Sequence, residues 1–369
     1  MNRKISGNKA TYRIIRKLGE GGFSEVFLAR DTEGLVIIKV PKKDILISEE
    51  LLKEEASILR DISTPSPHDH IVGFIEWIPN IPALVEEFVP GPKLDEAYSS
   101  RLATQNDAIR LALGVLSALE KLHSIGVVHG DIKPDNIILP KPLHPVLIDL
   151  GIARGIGSGR AIAGTPGWSA PEFMRGEVSP EADIYSVGVL LIYLIAGVDP
   201  RDPVNPNDIP KTIKGHLKNV IARALSLNPW ERFSSAREMS LALMGASIPV
   251  NLGPRIVIQG KVVPLKDKLT IGRSRSQGGT GRADLNLQEF GGRRLIPRGP
   301  PHSWVEVVKV GTEYWISDRG SPGGVWIFEN GKWRRVVDSP LKHGQLFSLG
   351  IRRRGGKVLP YIPARVYFR

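Results

Sequence analysis

Residues 129–136 read His129-Gly130-Asp131-Ile132-Lys133-Pro134-Asp135-Asn136, and Asp149-Leu150-Gly151 follow a short way downstream. Two acids, a lysine and an amide stand here in fixed order on what reads as irregular backbone, just after a helix-like run. One acid can take a proton from a hydroxyl. The other acid and the amide offer oxygen atoms to a hard divalent cation, and the lysine can meet a phosphate. Random sequence rarely supplies all four at these spacings.

Outward from it, the preceding residues alternate as strands. Tyr12–Leu18 runs into a glycine cluster, Glu25–Arg30 resumes it, and Leu35–Val40 follows the turn Asp31-Thr32-Glu33-Gly34. Ser48–Ile62 has helical apolar spacing, with Ser48 as its expected cap. Two further strands are expected over Ile71–Ile78 and Ala83–Phe88. From Thr104 onward helices dominate: Asn106–Ser124, Glu181–Gly197, Ile213–Ser226 and Ser235–Met244. A small sheet lobe precedes a helical lobe.

Past Ile248–Pro254 the pattern changes to short strands between turns: Arg255–Gln259, Leu269–Gly272, Trp304–Lys309, Tyr314–Ser317, Val325–Phe328, Gln345–Leu349 and Ile362–Phe368. With no long helix in that region, the expectation is an all-β sandwich. Ser274–Gly281 and Glu289–Pro301 read as loops. The division is drawn at 1–248 and 249–369. Charge divides at the same place: residues 1–248 hold 28 Lys/Arg against 30 Asp/Glu, residues 249–369 hold 22 against 8. The whole net charge of +12 therefore comes from the last third, which suggests an anionic partner there.

The 369 residues contain no cysteine, which excludes disulfides, thiolate metal sites and a thiol nucleophile. The start, Met1–Asn8, lacks the apolar core of a secretion signal, and the longest apolar run, Val187–Val198, is too short to span a bilayer. A cytoplasmic, soluble protein without a membrane partner is expected.

The opening stretch resembles the catalytic loop and magnesium motif of the eukaryotic-type (Hanks-type) serine/threonine protein kinases, with Gly130 where that family usually has Arg. The resemblance covers residues 12 to about 245. It implies an α+β bilobal fold with an antiparallel N-lobe sheet and a helical C-lobe, using ATP with Mg2+, or Mn2+ in its place, and acting on protein substrates in signalling. Asp131 would be the base-position acid, Lys133 the phosphate contact, and Asn136 and Asp149 the metal ligands. Gly19, Gly21, Gly22, Phe23 and Val26 would form the phosphate loop, with Ser24 at the third family glycine. Lys39 would meet the α- and β-phosphates and pair with Glu55, whereas a lone strand lysine is usually solvated charge.

Leu84–Gly91 resembles the hinge, where Glu87 and Val89 would receive adenine through backbone groups. Glu86 falls at the gatekeeper position, and a carboxylate there either pairs with a basic partner or turns outward. Gly164–Glu172 looks like the end of an activation segment, and Lys133 with Thr165 is the serine/threonine-type combination. Glu172 and Arg232 match the family's buried ion pair, Asp183 the acid that supports the catalytic loop, and His129 a buttress of that loop. His123 reads as ordinary surface or boundary packing. Gly130 removes the arginine that receives activation-loop phosphate, and Ser158 is the only hydroxyl between Asp149 and Thr165, so activity is expected not to depend strongly on phosphate there.

The C-terminal third carries Thr270-Ile271-Gly272-Arg273-Ser274, Pro301-His302-Ser303, Asp318–Val325 and Leu341–Gly350 in the order of a forkhead-associated (FHA) domain. That likeness implies phosphothreonine-protein binding through Arg273 and Ser321, with His302 as a brace. Two positions depart from the family: Gly299-Pro300 stands for its Ser-Arg, and Gly323 for its Asn. The runs Arg293-Arg294, Arg334-Arg335 and Arg352-Arg353-Arg354 also permit a nucleic-acid surface. Strand alternation predicts core packing for Trp304, Trp315 and Trp326, against base stacking. Phosphopeptide or intramolecular docking ranks first, a solvated basic face next, nucleic acid last. The non-enzymatic alternative for the whole chain is a pseudokinase scaffold or phosphopeptide-binding adaptor.

Overall fold

A computed structural model describes residues 4–99, 102–150, 154–155, 164–200, 209–246, 254–258, 261–272, 285–286, 304–329, 332–354, 357–360 and 363–367. The N-terminal sheet is built from β1 (Lys4–Ser6), β2 (Thr11–Glu20), β3 (Ser24–Arg30), β4 (Leu35–Pro41), β5 (Phe74–Ile78) and β6 (Ala83–Glu87) in the order β1-β2-β3-β4-β6-β5, with every recorded pairing antiparallel. The inward residues of the alternating strands (Tyr12, Ala29, Val36, Ile38, Ile78, Ala83 and Val85) make its small core. The unpredicted β1 pairs antiparallel with β2, and the turn between them is held by Glu76, which accepts from the Tyr12 hydroxyl at 2.6 Å and the Asn8 amide at 2.9 Å.

Helix α1 (Ser48–Ile62) crosses this sheet, burying Leu51, Leu52, Ala56, Ile58, Leu59 and Ile62. Glu55 lies on that same buried face because it stands three residues after Leu52 and four before Leu59. Glu49 and Glu50 in the first turn favour its N-terminal dipole. The expected cap is corrected. Ile47 occupies the cap position, and the Ser48 hydroxyl, inside the helix, donates to the Lys42 carbonyl at 2.6 Å.

The second lobe contains α2 (Leu94–Ala97), α3 (Gln105–Ser124), β7 (Val127–Val128), β8 (Ile137–Lys141), β9 (His144–Leu147), β10 (Arg154–Gly155), α4 (Pro171–Met174), α5 (Pro180–Ala196), α6 (Gly215–Ala224) and α7 (Ala236–Leu243). Thr104 caps α3 by accepting from the Asp107 amide at 3.1 Å, and Ser235 caps α7 from the Glu238 amide at 3.1 Å. Helix α5 is buried on nearly all sides, which explains its unbroken apolar run and makes it the axis of this lobe. No helix among the described residues is long and apolar enough to cross a membrane.

The C-terminal region is strand-rich, as expected. Its strands are β11 (Arg255–Ile258), β12 (Lys261–Pro264), β13 (Lys268–Gly272), β14 (Leu285–Asn286), β15 (Trp304–Val310), β16 (Glu313–Arg319), β17 (Val325–Glu329), β18 (Lys332–Val336), β19 (Asp338–Leu341), β20 (Leu346–Leu349), β21 (Ile351–Arg354), β22 (Lys357–Pro360) and β23 (Pro363–Tyr367). One sheet runs β12-β11-β23-β20-β17-β18 and another β14-β13-β15-β16-β19, with Ile256, Ile258, Leu269, Ile271, Val305, Val307, Ile316, Ile327 and Phe347 in their shared core. The expected boundary near 249 and the loops Ser274–Gly281 and Glu289–Pro301 lie outside the described residues.

The tryptophan expectation is corrected. Trp304, Trp315 and Trp326 are only half-buried, and it is their neighbours Val305, Ile316, Val325 and Ile327 that face the core. Their indoles instead donate to Glu306 at 3.3 Å, Glu313 at 3.3 Å and the Gly323 carbonyl at 2.9 Å. The alternation was real, but it points these indoles to the face that can offer their N–H a partner.

Candidate active site

The loop between β7 and β8 is held from below by one buried carboxylate. Asp183, in the first turn of α5 and fully buried, accepts from the amides of His129 at 2.9 Å and Gly130 at 2.8 Å. His123, at the end of α3, lies with Nε2 2.8 Å from the same carboxylate. This corrects its reading as surface or boundary packing, because His123 is 1% exposed and braces the acid that shapes the loop. The His129 ring accepts the Asp131 amide on Nδ1 at 3.2 Å, and burial pulls its pKa below the usual imidazole value. The His129 ring thus braces the backbone at Asp131.

Asp131 faces three donors. Its Oδ1 accepts the Thr165 hydroxyl at 2.6 Å, and its Oδ2 accepts the Asn136 amide at 2.9 Å and lies 2.8 Å from Lys133 Nζ. Lys133 also donates to the Thr165 hydroxyl at 2.7 Å. A short 3-10 turn, Pro134–Asn136, carries Asn136 back over Asp131, and its amide also donates to the Asp131 carbonyl at 3.0 Å. The amide nitrogen is thereby committed to Asp131, and the side-chain oxygen of Asn136 is the atom that could ligate a hard cation.

From the other lobe, β4 carries Lys39 to meet Glu55 of α1 at 2.6 Å. Glu55 also accepts the Leu150 amide at 3.2 Å, and Lys39 donates to the Ile148 carbonyl at 3.3 Å. The helix, the strand and the Asp149 segment are thus joined at one buried point. Asp149 Oδ1 lies 3.7 Å from Lys39, with its side chain 43% exposed.

Glu86 also meets Lys39, at 3.1 Å, and is 2% exposed. Of the two outcomes left open by sequence, the carboxyl pairs with a basic group and does not turn outward. Glu86 Oε1 sits beside the ammonium without an aligned hydrogen bond. Burial pushes the Lys39 ammonium down, but Glu55, Glu86 and Asp149 together outweigh that and hold it well above its ordinary value. Burial raises Glu55, against the pull of Lys39. Burial likewise raises Glu86, to about 8, because one lysine cannot neutralise three acids at once.

The glycine cluster forms the hairpin between β2 and β3, closed by the Gly21 amide on the Ser24 carbonyl at 2.8 Å; the Lys42 amide meets the Phe23 carbonyl at 3.0 Å. Val26 pairs with Lys39 across the strands, and Gly19 pairs with Val26. Gly22 has no atom near a Cβ built on it, so the backbone there is open to close approach. In the hinge, the Glu87 amide is bonded to the Gly73 carbonyl at 2.9 Å, and Val89 is buried.

Below the site, Arg232 donates twice to Glu172, at 2.6 and 3.0 Å, with both side chains buried. Among sequence-chosen residues of the C-terminal region, Arg273, His302 and Gly299 lie outside the described residues, as does Ser158 of the activation segment. Ser321 is 5% exposed, and its amide donates to Asp318 at 2.7 Å. Arg334 and Arg335 are solvent-facing, near Glu329 at 3.2 Å and Asp318 at 3.9 Å.

Two contacts had no advance signal in sequence: His123 on Asp183, and Phe173 packed beneath Gly130. Each joins residues tens of positions apart, and neither side chain announces a polar or glycine partner by local pattern.

The protein kinase domain family model matches residues 12–257. Similar proteins include serine/threonine-protein kinase C of Synechocystis sp., 31% identical over 352 residues, 82% of this chain and 64% of that protein. Serine/threonine-protein kinase PknA of Nostoc sp. is 32% identical, over 63% of this chain and 46% of its own. Serine/threonine-protein kinase Pkn1 of Myxococcus xanthus is 28% identical, over 96% of this chain and 55% of its own. The chain spans 46–64% of the length of these relatives. With a match over most of its length to that domain, on the bilobal frame that carries Lys39, Asp131 and Asp149, the chain belongs to the protein kinase family.

Proposed function

We propose that the chain transfers the γ-phosphate of ATP to serine or threonine hydroxyls of protein substrates. The observation that carries this reading is the pair of assembled half-sites. Lys39 is seated on Glu55, and Asp131 is already accepting a hydroxyl, that of Thr165, beside Lys133. An alcohol from a substrate would present its proton to the same carboxylate. Asp131 orients it and accepts the proton as the oxygen–phosphorus bond forms and the bond to the departing ADP oxygen breaks. Lys133 offsets negative charge on the transferring group, and Lys39 does so on the phosphates behind it.

The Asn136 side-chain oxygen and the Asp149 carboxylate are hard donors suited to Mg2+ or Mn2+. Two protein ligands, with nucleotide phosphates and water completing the shell, are the usual pattern for magnesium. Bound there, such an ion neutralises phosphate charge; Asn136 and Asp149 would hold it.

The C-terminal sandwich is read as an FHA-like docking unit for phosphothreonine proteins or for the enzyme's own phosphosites, in a cytoplasmic signalling protein. Its two packed sheets support that reading, while its basic charge keeps a nucleic-acid surface as the outcome to be tested against. Comparing phosphothreonine with unmodified peptide, and RNA at rising salt, separates the two.

The central test is phosphate transfer from γ-labelled ATP to a protein substrate, with Asp131→Ala and Asp149→Ala as controls. Loss in both variants supports catalysis. Equal signal in all three refutes catalysis by this site, and no transfer by the wild-type chain favours the pseudokinase scaffold.

A further inference from the structure

The C-terminal sandwich meets the helical lobe at a place that bears on the site. Arg365 of β23 lies with Nε 3.3 Å from Glu181 Oε1, in the first turn of α5, with the side chains 11% and 2% exposed. Its guanidinium is steadied by a bond to the Gly344 carbonyl at 3.1 Å. The backbone carbonyl of the same Glu181 accepts from Arg232 Nη1 at 2.8 Å. Arg232 in turn grips Glu172 with two bonds, at 2.6 and 3.0 Å, and stacks 4.9 Å over the Tyr185 ring. Phe173, next to Glu172, fills the space beneath Gly130, and the Ser169 hydroxyl donates to the Gly130 carbonyl at 3.2 Å. A continuous line of contacts therefore runs from β23 to the loop bearing Asp131.

The surrounding contact is apolar. Leu346 of β20 is 8% exposed and belongs to the core of the helical lobe, and Phe328 and Trp333 pack against that core. The His343 ring meets the Trp230 ring edge-on at 6.4 Å. Gly344 has φ of +76°, and a Cβ built on it falls 3.0 Å from Trp230, so a glycine here permits both the turn and the close approach. A charge pair buried among apolar contacts, continuous with the lobe's own core, is what an intramolecular interface needs and a tethered, independent module lacks.

We propose that Arg365 is a positioning residue for the kinase reaction: the β20–β23 face is a built-in docking surface for the helical lobe, and through Glu181, Arg232 and Glu172 it holds the 164–176 segment that faces the substrate. This rests on the kinase reading for its consequence in catalysis, but the coupling itself is a property of the fold. The Glu181 carboxylate is nearly out of water, and removing Arg365 takes a buried cation from 3.3 Å away at the start of α5. The strain falls on the Arg232 bond to the Glu181 carbonyl and passes to Glu172.

The test uses the full chain. Wild type, Arg365→Ala, Arg365→Lys and Gly344→Val are compared by hydrogen exchange of residues 164–176 and by steady-state kinetics with a serine/threonine peptide and ATP. Arg365→Ala and Gly344→Val should speed exchange in 164–176 and raise the peptide KM by about fivefold to tenfold, a coupling of ordinary size. The ATP KM should stay within about twofold, since Lys39 and the hinge lie elsewhere. Arg365→Lys should recover most of the loss. Exchange in 164–176 that matches wild type in both disruptive variants overturns the proposal, as does a uniform rise in exchange across α3 and α5 with no selectivity for that segment. A wild-type chain that transfers no phosphate refutes the proposed activity, while the exchange comparison still decides the coupling.

Discussion

The Phe173 ring occupies the space that any side chain at Gly130 would need: a Cβ built on Gly130 falls 2.3 Å from Phe173 Cζ. Gly130 also has φ of +80°, a conformation that L side chains resist. The residue that usually fills this position in the family is therefore excluded twice, by backbone and by packing. Gly130→Ala should destabilise the protein by about 2–4 kcal/mol, combining left-handed strain with overpacking. Thermal melts check this. Phe173→Leu in the same chain should give a cost below the sum of the two single changes, because the residues share one space. An additive pair would show that packing against Phe173 is not what demands glycine.

Asp183 should be the least replaceable acid beneath the loop. It satisfies two buried backbone amides at 2.9 and 2.8 Å and faces His123 Nε2 at 2.8 Å. Asp183→Asn turns one acceptor oxygen into a donor against an N–H and should cost about 2–3 kcal/mol. Phosphate transfer should fall with it, since Asp131 follows Gly130 directly. His123→Ala removes a partner but leaves both amides bonded, so its melt should shift less. A larger shift for His123→Ala than for Asp183→Asn would refute this order.

The two sides of the Glu172–Arg232 pair should not be equivalent. Arg232 donates to the Glu172 carboxylate and also to the carbonyls of Ser226 at 2.8 Å and Glu181 at 2.8 Å. Arg232→Met strands a buried carboxylate and two carbonyls, and should cost about 3–5 kcal/mol. Glu172→Gln keeps one acceptor and should cost less. Denaturant midpoints compare the two, and a greater loss in Glu172→Gln would overturn the assignment.

The parts of the fold and of the site differ in how far sequence announced them. The motif residues Lys39, Glu55, Asp131, Lys133, Asn136 and Asp149 stand at the spacings of the kinase resemblance, and the fold joins Lys39 with Glu55 and Asp149, and Asp131 with Lys133 and Asn136. Helix α1 was equally legible, because its apolar spacing over Ser48–Ile62 records a buried face directly. What escaped were features decided by tertiary partners. His123 contacts an acid sixty residues away, and nothing in the last turn of α3 distinguishes it from a surface histidine. Strand β18 reads Lys-Trp-Arg-Arg-Val and is mostly exposed, so it carries little of the alternation that marks a half-buried strand. Glu86 was visible as an anomaly, but only the fold could show that it turns toward Lys39.

That arrangement makes Glu86 a source of pH dependence in the nucleotide-free protein. Its carboxyl is raised from an ordinary 4.5 to about 8, first by burial and then by the neighbouring acids, with Lys39 opposing. Below the ordinary value it is protonated whether the chain is folded or not. Between about 4.5 and 8 the unfolded chain releases the proton while the folded chain keeps it, so stability falls as pH rises through this window and levels off above it. Glu86→Gln keeps the shape and removes the titration. The melting temperature of wild type minus that of the variant should therefore decline from acidic pH toward about 8 and then flatten. Melts of both proteins across that range, without nucleotide, measure it. A difference that stays flat or rises would mean that Lys39 holds Glu86 ionised, with the compensating proton on another acid of the cluster.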